Sequence, residues 1–218
     1  MKYIIILTTF FSVCLARQGI AGAFEPVFLH TIKLEGGAQF TAYHYDNDGG
    51  GTKYGIAFNS FKVIAKKEGI KKYDVDKDKK ITPNDLRLMT FAQARSIYKR
   101  YYWDVLKLDL VTSQLVCQNL YDFKVNGGLS IKGLQRAVKA KPDGIFGMQT
   151  VKAINFVQEC NLTKTIIQNR GRWLLVTMRR TRPQTWLYCR RGWANRLNFF
   201  VSNYNNSCKN EKLDFFRL

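Results

Sequence analysis

Apolar residues recur along most of this chain at helical spacing. Phe58, Phe61, Ile64 and Ala65 share one face of the segment from Phe58 to Glu68, the pattern of an amphipathic helix. Leu86, Met89, Ala92, Ala94, Ile97, Tyr98 and Tyr101 continue the rhythm and predict a single helix over 86–102. Residues 26–35 read as a short amphipathic helix ending at Glu35. The stretch from Leu115 to Val125 is apolar on most faces, as a buried helix is. Further helices are predicted over 131–140, over 151–160 with Thr150 as cap, over 163–182 with Pro183 as stop, and from Gly192 onward. One stretch departs from this rhythm. Between 38 and 56, glycines and the alternating Phe40, Tyr43 and Tyr45 predict a β-hairpin or an irregular lobe. No internal repeat and no disordered linker breaks the chain, so the pattern predicts one compact, mainly α (α+β) unit.

The N-terminus follows another pattern. Met1-Lys2 is a basic start, Tyr3 to Ala16 is an apolar run, and Ala21-Gly22-Ala23 is a small-x-small site before Phe24. These are the parts of a secretory signal peptide over 1–23, with an uncleaved anchor or a buried first helix as alternatives. Charge adds weight to this reading. The formal net charge is +19, and removing Lys2 and Arg17 with residues 1–23 leaves 19 − 2 = +17. Such a charge calls for a polyanionic partner. Export to the periplasm or medium disfavours nucleic acid and favours an anionic envelope surface. Beyond Cys14, the four cysteines Cys117, Cys160, Cys189 and Cys208 permit two disulfides in three connectivities. Cys117 and Cys160 fall in apolar segments, where buried thiols are the alternative.

Candidate chemistry begins at Glu35. This carboxylate ends an apolar run and is followed by Gly36 and Gly37, which can take left-handed φ and let a ligand approach. A carboxylate against apolar neighbours suits a general acid; the plain alternative is a solvent-facing helix end with a glycine stop. Downstream stands Asp74-Val-Asp76-Lys-Asp78-Lys79-Lys-Ile81-Thr-Pro-Asn-Asp85. Acids at its first, third, fifth and twelfth positions match a calcium loop, with Asp74, Asp76, Asp78 and Asp85 as ligands. Lys79 stands where that loop wants Gly, and Asp85 where it wants Glu. The alternative is a solvated loop that caps the next helix. Asp122, an acid inside an apolar helix, needs a partner or a task.

These residues carry a resemblance. Glu35-Gly36-Gly37 with Gly50-Gly51-Thr52-Lys53-Tyr54-Gly55-Ile56 resembles the opening signature of the glycoside hydrolase 108 family, lysozyme-like N-acetylmuramidases that include phage endolysins and the typhoid toxin secretion muramidase. The Asp74–Asp85 loop with Leu86 to Thr90, and Ile97 to Trp103, is similar to the family's middle section. Asp122 to Gly128 is similar to its buried helix end. Leu134 to Val138 and Asp143-Gly144-Ile145-Phe146-Gly147 resemble the accompanying peptidoglycan-binding region, and Gly192-Trp193-Ala194-Asn195-Arg196 its closing motif. The resemblance implies a helical body, a small β-containing lobe and a cleft between them. It implies a muramidase region over 24–115 and a helical peptidoglycan-binding region over 116–197 packed on it; a basic aromatic tail over 198–218 lies outside the resemblance.

The resemblance also implies the reaction, hydrolysis of the β-1,4 bond between N-acetylmuramic acid and N-acetylglucosamine, with Glu35 as acid. Such cleavage needs a proton at the leaving oxygen and a group that holds or replaces the attacking water. Asp46 with Thr52 has the spacing of the phage T4-type lysozyme arrangement, which makes an inverting mechanism the expectation; Asp48 is the alternative to Asp46. Tyr54, Asp122 and Asn126 are the candidate substrate-binding residues. No cofactor is required, the acidic loop being a candidate site for a structural calcium, and the expected form is a monomer acting on glycan strands. Three competing readings remain. They are a non-catalytic peptidoglycan binder, a lytic transglycosylase working with Glu35 alone, and a cationic membrane or nucleic-acid binder.

Overall fold

The computed structural model describes residues 22–42 and 50–217. The apolar N-terminal run, Asp46 and Asp48 lie outside the described residues. Helix α1 (Phe24–Leu34) buries Phe24, Val27, Phe28, Thr31 and Ile32, one stripe at three- and four-residue steps. Glu35 caps it, its N–H donating to the Thr31 carbonyl at 2.9 Å. The β lobe is small. Strands β1 (Thr52–Lys53) and β2 (Ile56–Ala57) pair antiparallel, with Lys53 opposite Ile56, and Thr41 bridges Thr52 from outside. The turn residues Tyr54 and Gly55 have φ of 51° and 73°, as a two-residue hairpin requires to match strand twist. Helix α2 (Phe58–Glu68) buries the four residues its spacing marked, Phe58, Phe61, Ile64 and Ala65.

The single helix expected over 86–102 is three pieces: α3 (Pro83–Leu88), α4 (Phe91–Tyr98) and a wide π-helical turn over Lys99–Trp103. Thr90 is the reason for the first break. Its hydroxyl accepts the Gln93 N–H while the Gln93 amide oxygen accepts the Thr90 N–H. This capping box starts a new helix. Met89 leaves helical geometry yet stays buried, so the apolar rhythm runs across a break it does not report.

Helix α5 (Gln114–Val125) is the central element, burying Val116, Cys117, Leu120, Tyr121, Asp122 and Phe123. Helix α6 (Ile131–Ala137) follows. Helix α7 (Met148–Phe156) begins at Gly147, so Thr150 does not cap it; Thr150 is buried inside, accepting from Gln135. The expected 151–160 helix ends early, and α8 (Glu159–Arg172) starts afresh with Gln158 as cap. It continues through a π-helical stretch, Trp173–Met178, into α9 (Arg179–Thr181). Pro183 then opens α10 (Pro183–Ser207). That helix starts nine residues before Gly192 and passes through the boundary expected at 198. Proline at a first helical position loses no hydrogen bond, so one residue both stops and starts a helix. Residues beyond α10 fold back: the Phe216 backbone pairs with the Asn198 side chain, and its ring covers Gly171.

Two apolar clusters hold these elements. The first joins α1 to α8, and the second joins α8, the π-helical stretch and α10; Trp173 packs against both. A disulfide, Cys160–Cys208, ties the start of α8 to the end of α10. Closing a loop of that length stabilises by about 4 kcal/mol in the chain-entropy account. Of the two cysteines read as possible buried thiols, only Cys117 is one; burial pushes its pKa up to about 12. Among the described residues no helix is long and apolar enough to cross a membrane.

Candidate active site

Glu35 stands where α1 ends, with its side chain about one-fifth exposed. Two glycines open the space beside it. Gly36 and Gly37 have φ of 87° and 64°, and no atom of the other described residues lies within 4 Å of a Cβ built on either. The hairpin turn closes the other side. A Cβ at Gly55 would lie 2.6 Å from the Glu35 Cβ and 2.8 Å from the Tyr98 hydroxyl, so only glycine lets the turn sit there. Tyr98 Oη donates to the Tyr54 carbonyl at 2.9 Å and locks that turn to α4.

The carboxylate is held from far away in the sequence. Arg196 Nη1, on α10, donates to Glu35 Oε1 at 2.6 Å. Arg196 is itself aimed by Asp122 on α5, to which Nε and Nη2 donate at 3.0 and 2.7 Å. Arg170 on α8 stands 2.6 Å from the other Asp122 oxygen. Asp122, Arg170 and Arg196 are buried. Burial of ions is costly unless they are paired, and here two carboxylates face two guanidinium groups. Burial alone would raise the Asp122 pKa, but Arg170 and Arg196 outweigh it and hold the carboxyl below its usual range. Burial works against the Arg196 charge too, yet Asp122 and Glu35 overcome it and its pKa is raised. For Arg170 burial wins and the pKa is lowered. Burial, and then the nearby Glu35 charge, raise Tyr98 and Tyr102. Oε2 of Glu35 has no donor among the described residues, which leaves one oxygen fixed and one open.

The other sequence candidates fall in different places. Thr52 lies on β1, three residues from the Gly55 contact; its Oγ1 is buried with no partner among the described residues. Asp46 and Asp48 are outside the described residues. The Tyr54 ring is buried and packs edge-on to Phe91. Asp122, expected at the substrate, is turned inward to the two arginines. Asn126, at the end of α5, is half-buried with Oδ1 3.5 Å from Arg170 Nη2. In the acidic loop, oxygens of Asp74, Asp76 and Asp78 lie within 4.8 Å of one another. Asp85 does not join them. It is fully buried, and its oxygens accept the N–H groups of Val75, Asp76 and Thr82.

Sequence reading singled out neither Arg170 nor Arg196 for the site. The signal was present in both. Arg170 sits among Ile166, Ile167, Trp173 and Leu174, and Arg196 among Trp193, Leu197 and Phe200. An arginine inside an apolar helical stripe has to be paired within the fold.

Two grooves are relevant to this cluster, and the first includes Arg196 in its lining. One, of about 480 Å³, is lined by Leu34, Asn126, Trp193, Asn195 and Arg196. The other, of about 570 Å³, lies between α2 and the Tyr101–Tyr102 pair; its Tyr102 is the residue that feels the Glu35 charge. A groove of similar size beside the disulfide holds one carboxylate, Glu211, already paired with Lys164.

Among solved structures, SagA of Brucella abortus is similar, with 22% identity and a TM-score of 0.62 over 84% of this chain and 94% of that one. At that identity the likeness shows the fold, mainly α and lysozyme-like. A search of curated proteins finds no match. The model of the glycosyl hydrolase 108 family matches residues 28–128, from α1 through the glycine pair after α5. Over these residues the chain is similar to the glycosyl hydrolase 108 family, and the match supports a glycoside hydrolase.

Proposed function

We propose that the protein is a peptidoglycan hydrolase, an N-acetylmuramidase with Glu35 as general acid. The observation that carries this is the asymmetric hold on Glu35: Arg196 donates to Oε1, and Oε2 has no donor among the described residues. In this reading Oε2 carries the proton to the glycosidic oxygen. The Arg196 contact then favours the carboxylate left behind, so the group that aims the acid also helps it release its proton. Water attacks from the opposite face of the sugar in an inverting reaction. The Thr52 hydroxyl supports this role, being buried and without a protein partner among the described residues; Asp46 is the proposed second carboxylate. No step needs a cofactor.

Two further features favour an envelope substrate. No acidic residue lies between Glu159 and Glu211, so the C-terminal helices present a cationic surface to anionic polymers. The disulfide suits an oxidising compartment. The segment expected to bind the wall, Asp143 to Gly147, is occupied with itself. Gln135 Nε2 donates to Asp143 Oδ1 and the Ile145 carbonyl, and Gln135 Oε1 accepts the Gly144 N–H. This turn has a structural use for its motif, which weakens a purely binding role.

The test is digestion of purified peptidoglycan with mass spectrometry of the released muropeptides. Wild type should give reducing ends, and Glu35→Gln should be slower by about 10²- to 10⁴-fold, the usual worth of a general acid. An unchanged rate would remove Glu35 from the mechanism. Anhydromuramic ends would replace water by the substrate's own hydroxyl and make the enzyme a lytic transglycosylase.

A further inference from the structure

Helix α10 lies outside the matched residues 28–128, yet it supplies Arg196 to Glu35. The same helix builds one wall of the groove of about 480 Å³ beside that contact, through Gly192, Trp193 and Asn195. Leu34, the residue before Glu35, and Asn126 line the groove as well. This wall is chemically distinct from the rest of α10. Arg190 and Arg191 precede it, but the one cation lining the groove, Arg196, is already neutralised by Asp122 and Glu35. Besides Leu34, Tyr188 and Cys189, the lining offers an indole and two carboxamides. Trp193 is half-buried and packs against the second apolar cluster, which fixes its ring. No atom lies within 4 Å of a Cβ built at Gly192. Asn126 has its oxygen turned to Arg170, which leaves its NH₂ for another acceptor. Asn195 is exposed.

An indole face beside carboxamides and no unpaired charge does not suit a carboxylate-bearing peptide. It suits a neutral amphipathic ring with amide and hydroxyl substituents. We infer that α10 carries a saccharide subsite of the cleft, in which Trp193 stacks an N-acetylhexosamine and Asn126 and Asn195 bond its acetamido and hydroxyl groups. This rests on the glycan-cleaving reading of Glu35 and extends it: the C-terminal helix completes the cleft instead of forming a separate wall anchor. A chain cut after residue 128 would lose both the Glu35 clamp and one side of its sugar.

Binding can be separated from cleavage by working in the full-length Glu35→Gln chain. The probe is the β-1,4-linked tetramer of N-acetylglucosamine, titrated by calorimetry. Adding Trp193→Ala should weaken binding about tenfold, the order expected when an aromatic stack and its buried area are lost. Trp193→Phe should restore part of that, and Asn195→Ala should weaken binding about threefold to tenfold, as for one lost hydrogen bond. Trp193 also packs on the core, so thermal melts accompany each variant. If Trp193→Ala unfolds, Asn195→Ala and Trp193→Phe decide. Binding that is unmoved by both, or no binding by the parent, overturns the subsite. A fully active Glu35→Gln chain whose tetramer binding still falls with Asn195→Ala would sink the assignment of the acid and leave the subsite standing.

Discussion

Asp85 and Asp122 are both almost completely buried, and they are neutralised in opposite ways. Asp85 accepts N–H groups from residues three to ten positions away, all within its own loop. Asp122 meets Arg170 and Arg196, 48 and 74 positions away, on two other helices. The first arrangement is self-contained, and the loop would keep it wherever it was placed. The second exists only when α1, α5, α8 and α10 are all assembled. Its outermost link is Glu35, 161 residues from Arg196. In this chain the charge proposed to do chemistry is tied to the global fold, and the charge that shapes a loop is not.

The sharpest way to break that contrast is Asp122→Asn. It keeps the shape and removes the charge, leaving two guanidinium groups buried near one another. Breaking a buried pair costs about 3–5 kcal/mol, and two pairs share this carboxylate, so the expected loss sits at the upper end of that range. Urea unfolding measures it. Activity on peptidoglycan should fall as well, because Arg196 loses the contact that points it at Glu35. A loss below about 1 kcal/mol would show that both arginines reach solvent and that the cluster is not a coupled unit.

Asp85→Asn should cost less, about 1–3 kcal/mol, since one oxygen still accepts backbone N–H groups and only the donors on the other face an NH₂ and lose their acceptor. Its effect should also depend on pH in a defined direction. Burial raises the Asp85 pKa, but the N–H groups of Thr82, Val75 and Asp76 outweigh it and hold it below 3.8. A depressed carboxyl contributes its stability above the unfolded value and loses it as pH falls through the folded one. The gap between wild type and Asp85→Asn should therefore be full above about pH 5 and close below about pH 4. Catalysis at neutral pH should be unaffected beyond what stability dictates. A gap that widens on acidification would contradict the hydrogen-bond account.

The same contrast decides what the sequence made legible. The four-residue stripe of α2 and the helix ending at Glu35 are local patterns, and each lies where its spacing placed it; of the loop's acids, Asp74, Asp76 and Asp78 gather while Asp85 turns to backbone N–H groups. The break between α3 and α4 was local too, but Thr90 and Gln93 outvoted an apolar rhythm that carried on through Met89. Arg196 is different in kind. Nothing within several residues of Glu35 names its partner, because the pairing is made by helices that meet only after folding. What the sequence offered was indirect: an arginine inside an apolar stripe, which has to find a carboxylate somewhere. Pro183 misled for a related reason, being legible as a stop and equally suited to the start that it is.

The smallest effect tests how local the acidic loop is. Lys79, at the sixth position, has φ of 67°, a left-handed conformation that costs a side-chain-bearing residue roughly 1–2 kcal/mol. The loop takes the geometry a glycine would favour without having one. Lys79→Gly removes that strain and keeps the N–H that donates to Asp74 Oδ2 at 2.9 Å. Against the relief stands the greater freedom of glycine in the unfolded chain, about 0.4–1 kcal/mol. The net expectation is a gain of less than about 1 kcal/mol, read as a small rise in the urea midpoint at unchanged slope. A loss would mean that the Lys79 side chain supports the loop through contacts that outweigh its backbone. A gain would show that one residue's own φ can improve this loop, which no single local change could do for Asp122, whose partners lie on other helices.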